Sequence, residues 1–246
     1  MTTRFPIMAA SLIIFSVYLA GYNVPVQLAE SSSGHHKHVG RITNNFFSSS
    51  PSIAICCAWD NRFSNEQLTY TIVGGDEPSR QAVVEALNQW VSSVSGLRFV
   101  QVSDKNSADI VINFQNVGGS GGAGGNEKHT NGLGTIKGSA HVDIVGETIL
   151  HGSNGLIDSA QINIATGAFG SLLSTDRIKQ IAMHEIGHTL GLGHANFVGD
   201  IMAPALNYEK VAVSACDINA VLSANQWKFW GSSNGPLPPH IDHVEC

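Results

Sequence analysis

Three histidines and one glutamate stand at a spacing that suits a metal-dependent hydrolytic site. Residues 184–194 read His-Glu-Ile-Gly-His-Thr-Leu-Gly-Leu-Gly-His. On a helix, His184 and His188 lie on one face, one turn apart, so both rings can reach one cation. Gly191 and Gly193 can end the helix and turn the chain, which allows His194 to return as a third ligand.

Zinc is the metal that this ligand set favours, because Zn²⁺ prefers imidazole nitrogen and tetrahedral geometry. Three protein ligands leave the fourth position open, as a catalytic zinc site requires. Glu185 points elsewhere around the helix, where it can reach a water on the metal without binding the metal. A structural zinc that closes with a remote histidine (His129, His141 or His151) is the alternative.

A methionine follows the histidine motif. Residues 200–204 read Asp-Ile-Met-Ala-Pro, and a buried Met202 in a tight turn could form the floor of the site. The long zinc motif with a following methionine resembles the metzincin metallopeptidases. Within them the chain is most similar to the matrixins, because Pro204 stands two residues after Met202.

The similarity to the matrixins covers about residues 59–228, and upstream of the site it rests on Leu68-Thr-Tyr70, Leu97-x-Phe99 and residues 108–114. It implies an α+β, zincin-like catalytic domain: a twisted, mixed five-stranded sheet with an upstream helix, an active-site helix and a C-terminal helix. It further implies three zinc ligands, a general base and a Met-turn residue, namely His184, His188, His194, Glu185 and Met202. A substrate would bind as an added strand beside the sheet edge, which we place at Ser159–Ile164.

The chain departs from the matrixin pattern near the substrate pocket. Ala195 follows the third histidine, where matrixins usually carry serine. The tyrosine expected two residues after Pro204 is replaced by Leu206, with Tyr208 nearby. We therefore assign the pocket wall to Pro204, Leu206 and Tyr208.

The additional metal sites of the family are poorly matched. Gly138 and Gln161 stand where two ligands of a structural zinc are expected, so we predict one catalytic zinc and no second one. Calcium binding has weak support, since the Gly-rich segment 117–125 fits the family's calcium sites badly. The Pro-Arg-Cys-Gly latency motif is absent.

The apolar pattern predicts the elements that carry the site. Strands are expected at residues 68–73, 97–102, 109–114 and 159–164, which are rich in β-branched and aromatic side chains. Helices are expected to begin near Asp76, Ser174 and Ser214, which are suitable capping residues, and the first should end at Gly96. The first strand–helix–strand run predicts parallel strands joined by a crossover.

The N-terminus resembles a targeting segment. Arg4 precedes an apolar stretch whose dense part, Ile7 to Ala20, is 14 residues long, shorter than the roughly 20 that a spanning helix needs. Residues 1–29 are thus a signal peptide or a retained anchor, the latter through residues 5–22. Either interpretation predicts an extracellular protein, secreted or held at the outer face of the membrane, such as one that acts in the extracellular matrix.

The rest of the chain is predicted to consist of one catalytic domain with a segment on each side. Residues 30–58 are predicted to be a Ser/His-rich linker or short pro-segment, 59–230 the matrixin-like domain and 231–246 a loose tail. Disulfides are permitted outside the cell, and we expect Cys56 or Cys57 to pair with Cys216 or Cys246. A zinc-blocking thiol at Cys56 or Cys57 is the alternative.

Charge and site together predict the function. With 13 Lys and Arg against 19 Asp and Glu, the net charge is −6, which disfavours nucleic acid as a partner. We predict a monomeric zinc endopeptidase that hydrolyses proteins or peptides by Glu185-assisted attack of a zinc-bound water. Two alternatives stay open: a non-catalytic extracellular zinc-binding module, against which the intact Glu185 argues, and a zinc amidase with a non-peptide substrate.

Overall fold

The computed structural model describes residues 50–65, 67–115, 145–168, 171–205, 212–231 and 235–246, and the backbone of residues 16–19. Its α-helices are α1 (Glu77–Ser93), α2 (Thr175–Thr189) and α3 (Ala215–Ala224), with a 3-10 helix at Asn61–Asn65 and a π-helix at Trp227–Gly231. Its strands are β1 (Ser16–Leu19), β2 (Ser52–Ile55), β3 (Ala58–Trp59), β4 (Gln67–Val73), β5 (Arg98–Gln101), β6 (Ile110–Gln115), β7 (Gly146–Ser153), β8 (Leu156–Ala165), β9 (Gly167–Ala168), β10 (Ser171–Leu172), β11 (Leu192–Ala195) and β12 (His243–Glu245).

The main sheet has the order β1-β7-β8-β6-β4-β5, with β3 beside β8. Strands β5, β4, β6 and β8 are parallel, and β7 runs antiparallel to β8. The five strands from β7 to β5 form the mixed sheet that the family resemblance implies. The crossover from β4 through α1 to a parallel β5 is confirmed.

The sequence predicts the sheet edge at Ser159–Ile164, and this prediction is wrong. These residues belong to β8, where Ile162 pairs with Thr148 of β7 on one side and Ile112 of β6 on the other. Strand β7 lies further out, and the backbone of β1 pairs in parallel along it. The strand next to β8 on its outer side is therefore β7, which was not predicted from the sequence.

The polar alternation in β8 has a different cause from exposure to water. The side-chain amide of Asn163 accepts a hydrogen bond from Gln161 at 2.9 Å and donates one to Glu147 at 2.9 Å. Asn113 of β6 donates to the same Asn163 oxygen at 3.3 Å. Polar side chains of three adjacent strands thus satisfy one another, so a half-polar strand can lie inside the sheet.

Helices α1 and α2 pack against each other. The Asp76 side chain caps α1 by accepting the Ser79 N–H, and the Ser174 hydroxyl caps α2 by accepting the Arg177 N–H. Trp90 of α1 is fully buried, and its indole N–H donates to the Met183 carbonyl at 2.9 Å. This contact ties the upstream helix to the turn of α2 that precedes the histidine motif.

The described parts of both segments that flank the predicted domain, residues 50–58 and 235–246, contain strands that were not predicted from the sequence. Strand β2 falls in the predicted linker, yet it pairs with β11 on one side and β12 on the other. Strand β12 falls in the predicted loose tail. The physical reason is burial: Ile53 and Ile55 of β2 alternate inward at 0% and 7% exposure, and this apolar pair is easy to miss within a Ser-rich region.

The disulfide prediction is also wrong. Cys56 bonds to Cys57, and Cys216 bonds to Cys246. Cys216 lies in the first turn of α3, beside the end of β12, whereas Cys56 follows β2 and lies against Gly191. The two disulfides therefore lie in different parts of the structure.

The targeting prediction falls almost wholly outside the described residues, since only the backbone of 16–19 is described within 1–29. Within the described ranges, none of the helices combines the length and the apolar character that a membrane crossing needs.

Candidate metal centre and active site

The three motif histidines converge on one point. Nitrogens of His184, His188 and His194 lie within 4.8 Å of one another, and the Nε2 atoms of the first two are 2.9 Å apart. His184 and His188 are fully buried on α2. His194 lies on β11, so the predicted return of the chain after the helix is confirmed.

Hydrogen bonds to main-chain carbonyls orient two of these rings. Nδ1 of His184 lies 2.6 Å from the Ile201 oxygen, and Nδ1 of His188 lies 2.8 Å from the Leu192 oxygen. A carbonyl only accepts, so both Nδ1 atoms carry the hydrogen and both Nε2 atoms present lone pairs. The two Nε2 lone pairs, 2.9 Å apart, are placed so that they could share one cation.

The third histidine and the electrostatics fit the same metal. Nε2 of His194 is buried without a hydrogen-bond partner. Burial, and then the neighbouring imidazoles, hold the pKa of His184 well below its ordinary value and lower the pKa of His188 to about 3. Burial also lowers the pKa of His194. All three rings are thus neutral at neutral pH, which is the form that binds zinc.

The turn between α2 and β11 requires a glycine. Gly191 has a φ of +95°, and a Cβ there would overlap the carbonyl oxygen of Cys57. The Trp59 indole donates to the Thr189 carbonyl at 2.7 Å, and Asn225 donates to the Leu190 carbonyl at 2.9 Å. These buried donors satisfy the open carbonyls at the end of α2 and fix the point where the chain turns towards His194.

Glu185 is fully buried on α2, where it follows His184 in sequence. Its Oε2 accepts a hydrogen bond of 2.6 Å from the Thr148 hydroxyl of β7, whereas Oε1 has no protein partner. Burial raises the pKa of Glu185 to about 8; the Thr148 hydrogen bond opposes this shift and the Glu147 charge adds to it. At neutral pH this carboxyl group therefore mostly keeps its proton in the zinc-free protein. A cation held by the three histidines would favour the ionised form, and its free oxygen could then accept a proton from a reactant.

Met202, the predicted Met-turn residue, packs against α2. It is fully buried, and its sulfur lies where a Cβ on Gly187 would stand. The Ala195 N–H donates to the Met202 carbonyl at 2.8 Å, which joins the Met turn to the residue after His194.

Two buried aspartates support the Met turn, and the sequence analysis did not assign them to the site. Asp200 accepts the Met202 N–H at 2.8 Å and the Ser214 hydroxyl at 3.1 Å. Ser214 and Asp217 form the predicted capping box of α3. Burial raises the pKa of Asp217 to about 7, and Asp200 adds to this rise. In the sequence, Asp200 stands two residues before Met202, and Ser214 and Asp217 have capping-box spacing. Neither pattern shows that Asp200 contacts the capping box.

The remaining site predictions have mixed outcomes. Pro204 lines a cleft of about 530 Å³ together with residues 195–199, 203 and 205. Leu206 and Tyr208 lie outside the described residues, so the pocket wall stays a prediction. His129, His141, Gly138 and the segment 117–125 also lie outside them, while His151 is exposed on β7. Within the described ranges, the cluster suited to a metal consists of the three motif histidines.

A helix-borne histidine pair, a third histidine after a glycine turn and a methionine below them define a metzincin-type metal site. The family model described as Matrixin matches residues 59–224. The chain belongs to the matrixin family of metallopeptidases. The three-histidine cluster could hold the catalytic zinc that matrixins use.

Individual relatives agree with this assignment. The chain is 31% identical over 190 residues to the interstitial collagenase of Equus caballus, which covers 72% of this chain and 34% of that protein. It is 30% identical over 155 residues to metalloendoproteinase 5-MMP of Arabidopsis thaliana, which covers 61% of this chain and 39% of that protein. The matches thus span about a third of these relatives. The solved structure of myroilysin matches 70% of this chain and 96% of its own, with a TM-score of 0.41 and 12% identity.

Proposed function

We propose that this protein is a zinc-dependent endopeptidase that acts on proteins or peptides outside the cytoplasm. The observation that carries the proposal is the buried Glu185 carboxyl group, which has one oxygen without a protein partner and follows directly in sequence on His184, one of three convergent histidines. A site that only stored zinc would not need an ionisable group in this costly position.

His184, His188 and His194 would hold the zinc, which supplies Lewis-acid chemistry by polarising a carbonyl and making water more acidic. Glu185 would take the proton of the attacking water at Oε1 and return it to the leaving amine. The Thr148 hydroxyl can follow this change of charge. It donates to Oε2 when Glu185 is ionised, and it can donate instead to the Glu185 carbonyl, 3.1 Å away, when the carboxyl is protonated.

The substrate would lie as an extended strand along the outer side of β7. Thr148 of this strand contacts Glu185, so a peptide beside β7 would pass the carboxylate at close range. Pairing of the backbone of β1 along β7 supports the idea that this side can accept a strand. The cleft lined by Pro204 and Val198 would receive a substrate side chain.

The location outside the cytoplasm has support from the disulfides. All four cysteines are paired, in two bridges, and such bridges persist chiefly in oxidising compartments. Cleavage of a signal peptide within residues 1–29, and action in the extracellular matrix, belong to this proposal.

The experiment is cleavage of a library of quenched peptides by the full-length protein, with and without a zinc chelator. We expect cleavage that the chelator abolishes and added zinc restores. Zinc binding at one ion per chain without any cleavage would refute the endopeptidase and favour a non-catalytic zinc module. Hydrolysis of amides other than peptides alone would favour the zinc amidase.

A further inference from the structure

We propose that Thr148 is a positioning residue, which aims the carboxylate of Glu185 by holding one of its oxygens while Gly146 leaves room for the other. The inference rests on the proposed function, since it concerns how the general base is oriented. Both residues belong to β7, two positions apart, and both are buried on the side that faces α2.

The Thr148 hydroxyl lies within hydrogen-bond distance of two oxygens of Glu185 and can donate to either one. Its hydroxyl oxygen lies 2.6 Å from Oε2 and 3.1 Å from the main-chain carbonyl of the same residue. The Thr148 side chain is fully buried, so water does not compete for this contact. A β-branched side chain in a strand has few χ1 choices, which restricts the positions that the hydroxyl oxygen can take.

The absence of a side chain at Gly146 leaves space for Oε1 of Glu185. A Cβ on Gly146 would overlap Oε1 of Glu185 and would stand 2.7 Å from Cγ2 of Ile181. Oε1 is therefore accommodated where only glycine leaves space. It is also buried and has no protein partner. One oxygen is thus fixed by the strand, and the other stays available for the reaction.

The register between β7 and β8 fixes the positions of Thr148 and Gly146 relative to Glu185. Thr148 pairs with Ile162, and Gly146 pairs with Ile164, both on the central strand β8. Strand β7 also carries Glu147, which faces the opposite side and bonds to Asn163. A one-residue slip of β7 would turn Thr148 away from Glu185, so the sheet register itself orients the base.

The test compares Thr148→Val with Thr148→Ser in the full-length protein. Valine keeps the shape and removes the hydroxyl, while serine keeps the hydroxyl. We expect Thr148→Val to lower kcat about 10- to 100-fold with KM and zinc content unchanged, and Thr148→Ser to restore kcat to within about threefold of wild type. A Thr148→Val kcat within twofold of wild type would overturn the proposal, as would an equal loss in both variants.

A second readout does not depend on activity. The infrared difference between each protein and its Glu185→Gln partner isolates the Glu185 carboxyl band in the zinc-free state. We expect Thr148→Val to shift this band and Thr148→Ser to leave it near its wild-type position. An unshifted band in Thr148→Val would overturn the proposal even if the wild-type chain cleaves peptides. A shifted band in a chain that cleaves nothing would instead leave the positioning role standing and refute the endopeptidase.

Discussion

Gly187→Ala is expected to destabilise the protein, although alanine is the better helix former. Gly187 lies within α2, where alanine would ordinarily stabilise by about 1 kcal/mol. A Cβ at this position would overlap the sulfur of Met202 and come within 3.1 Å of Cζ2 of Trp90. Both neighbours are fully buried. Overpacking of this kind costs about 1–3 kcal/mol, which exceeds the helix gain of about 1 kcal/mol by up to about 2 kcal/mol, so we expect a net loss of that size at most.

The assay is urea unfolding of the zinc-free protein, because bound zinc would add its own stabilisation. Met202→Ala alone should cost about 2–5 kcal/mol by leaving a cavity. In the double variant the alanine at 187 fills part of that space, so its loss should be at least 1 kcal/mol smaller than the sum of the single losses. Additive losses, or a stabilising Gly187→Ala, would refute the contact between the Met turn and the active-site helix.

Two further perturbations follow from the described contacts. Burial raises the pKa of Asp217 to about 7 from an ordinary 3.8, so the folded protein holds this proton more tightly than the unfolded chain and loses stability as pH rises from about 4 to 7. Asp217→Asn should remove this pH dependence. In urea unfolding between pH 5 and 8, the free energy of unfolding of the wild type should fall by on the order of 2 kcal/mol relative to that of the variant. Parallel pH profiles of the two proteins would contradict this expectation. Replacing both Cys216 and Cys246 by alanine should lower stability by about 2–4 kcal/mol in thermal unfolding. It should also speed amide exchange at Ile55, whose N–H donates to the Asp242 carbonyl at 2.7 Å. Unchanged exchange would show that β12 stays paired without the bridge.

The parts of the fold that depend on local pattern could be predicted from the sequence. Strand β4, helix α1 and the beginning of α2 follow from apolar periodicity, capping residues and glycine. The metal ligands could be found because His184, His188 and His194 lie within 11 residues of each other. Their geometry follows from one helix and one turn, so no long-range contact is needed to bring them together.

The parts that depend on distant contacts could not be predicted. Thr148 contacts Glu185, which is 37 residues away in sequence. Strand β2 pairs with β12, which lies near the other end of the chain. Nothing in the type or neighbours of Thr148 indicates that it faces a carboxylate. The misplaced sheet edge has the same origin, because the alternation of β8 reports polar neighbours within the sheet and not the strand's position.

The Glu185→Gln variant tests whether Glu185 is the general base, with zinc content and peptide cleavage measured on the same samples. Glutamine keeps the shape of the side chain and the neighbours at Thr148, but it cannot take a proton from the reactant. We predict one zinc per chain in both proteins and a loss of kcat of at least about 100-fold in the variant. Cleavage by Glu185→Gln within a few-fold of wild type, at equal zinc content, would contradict the assignment of Glu185 as general base.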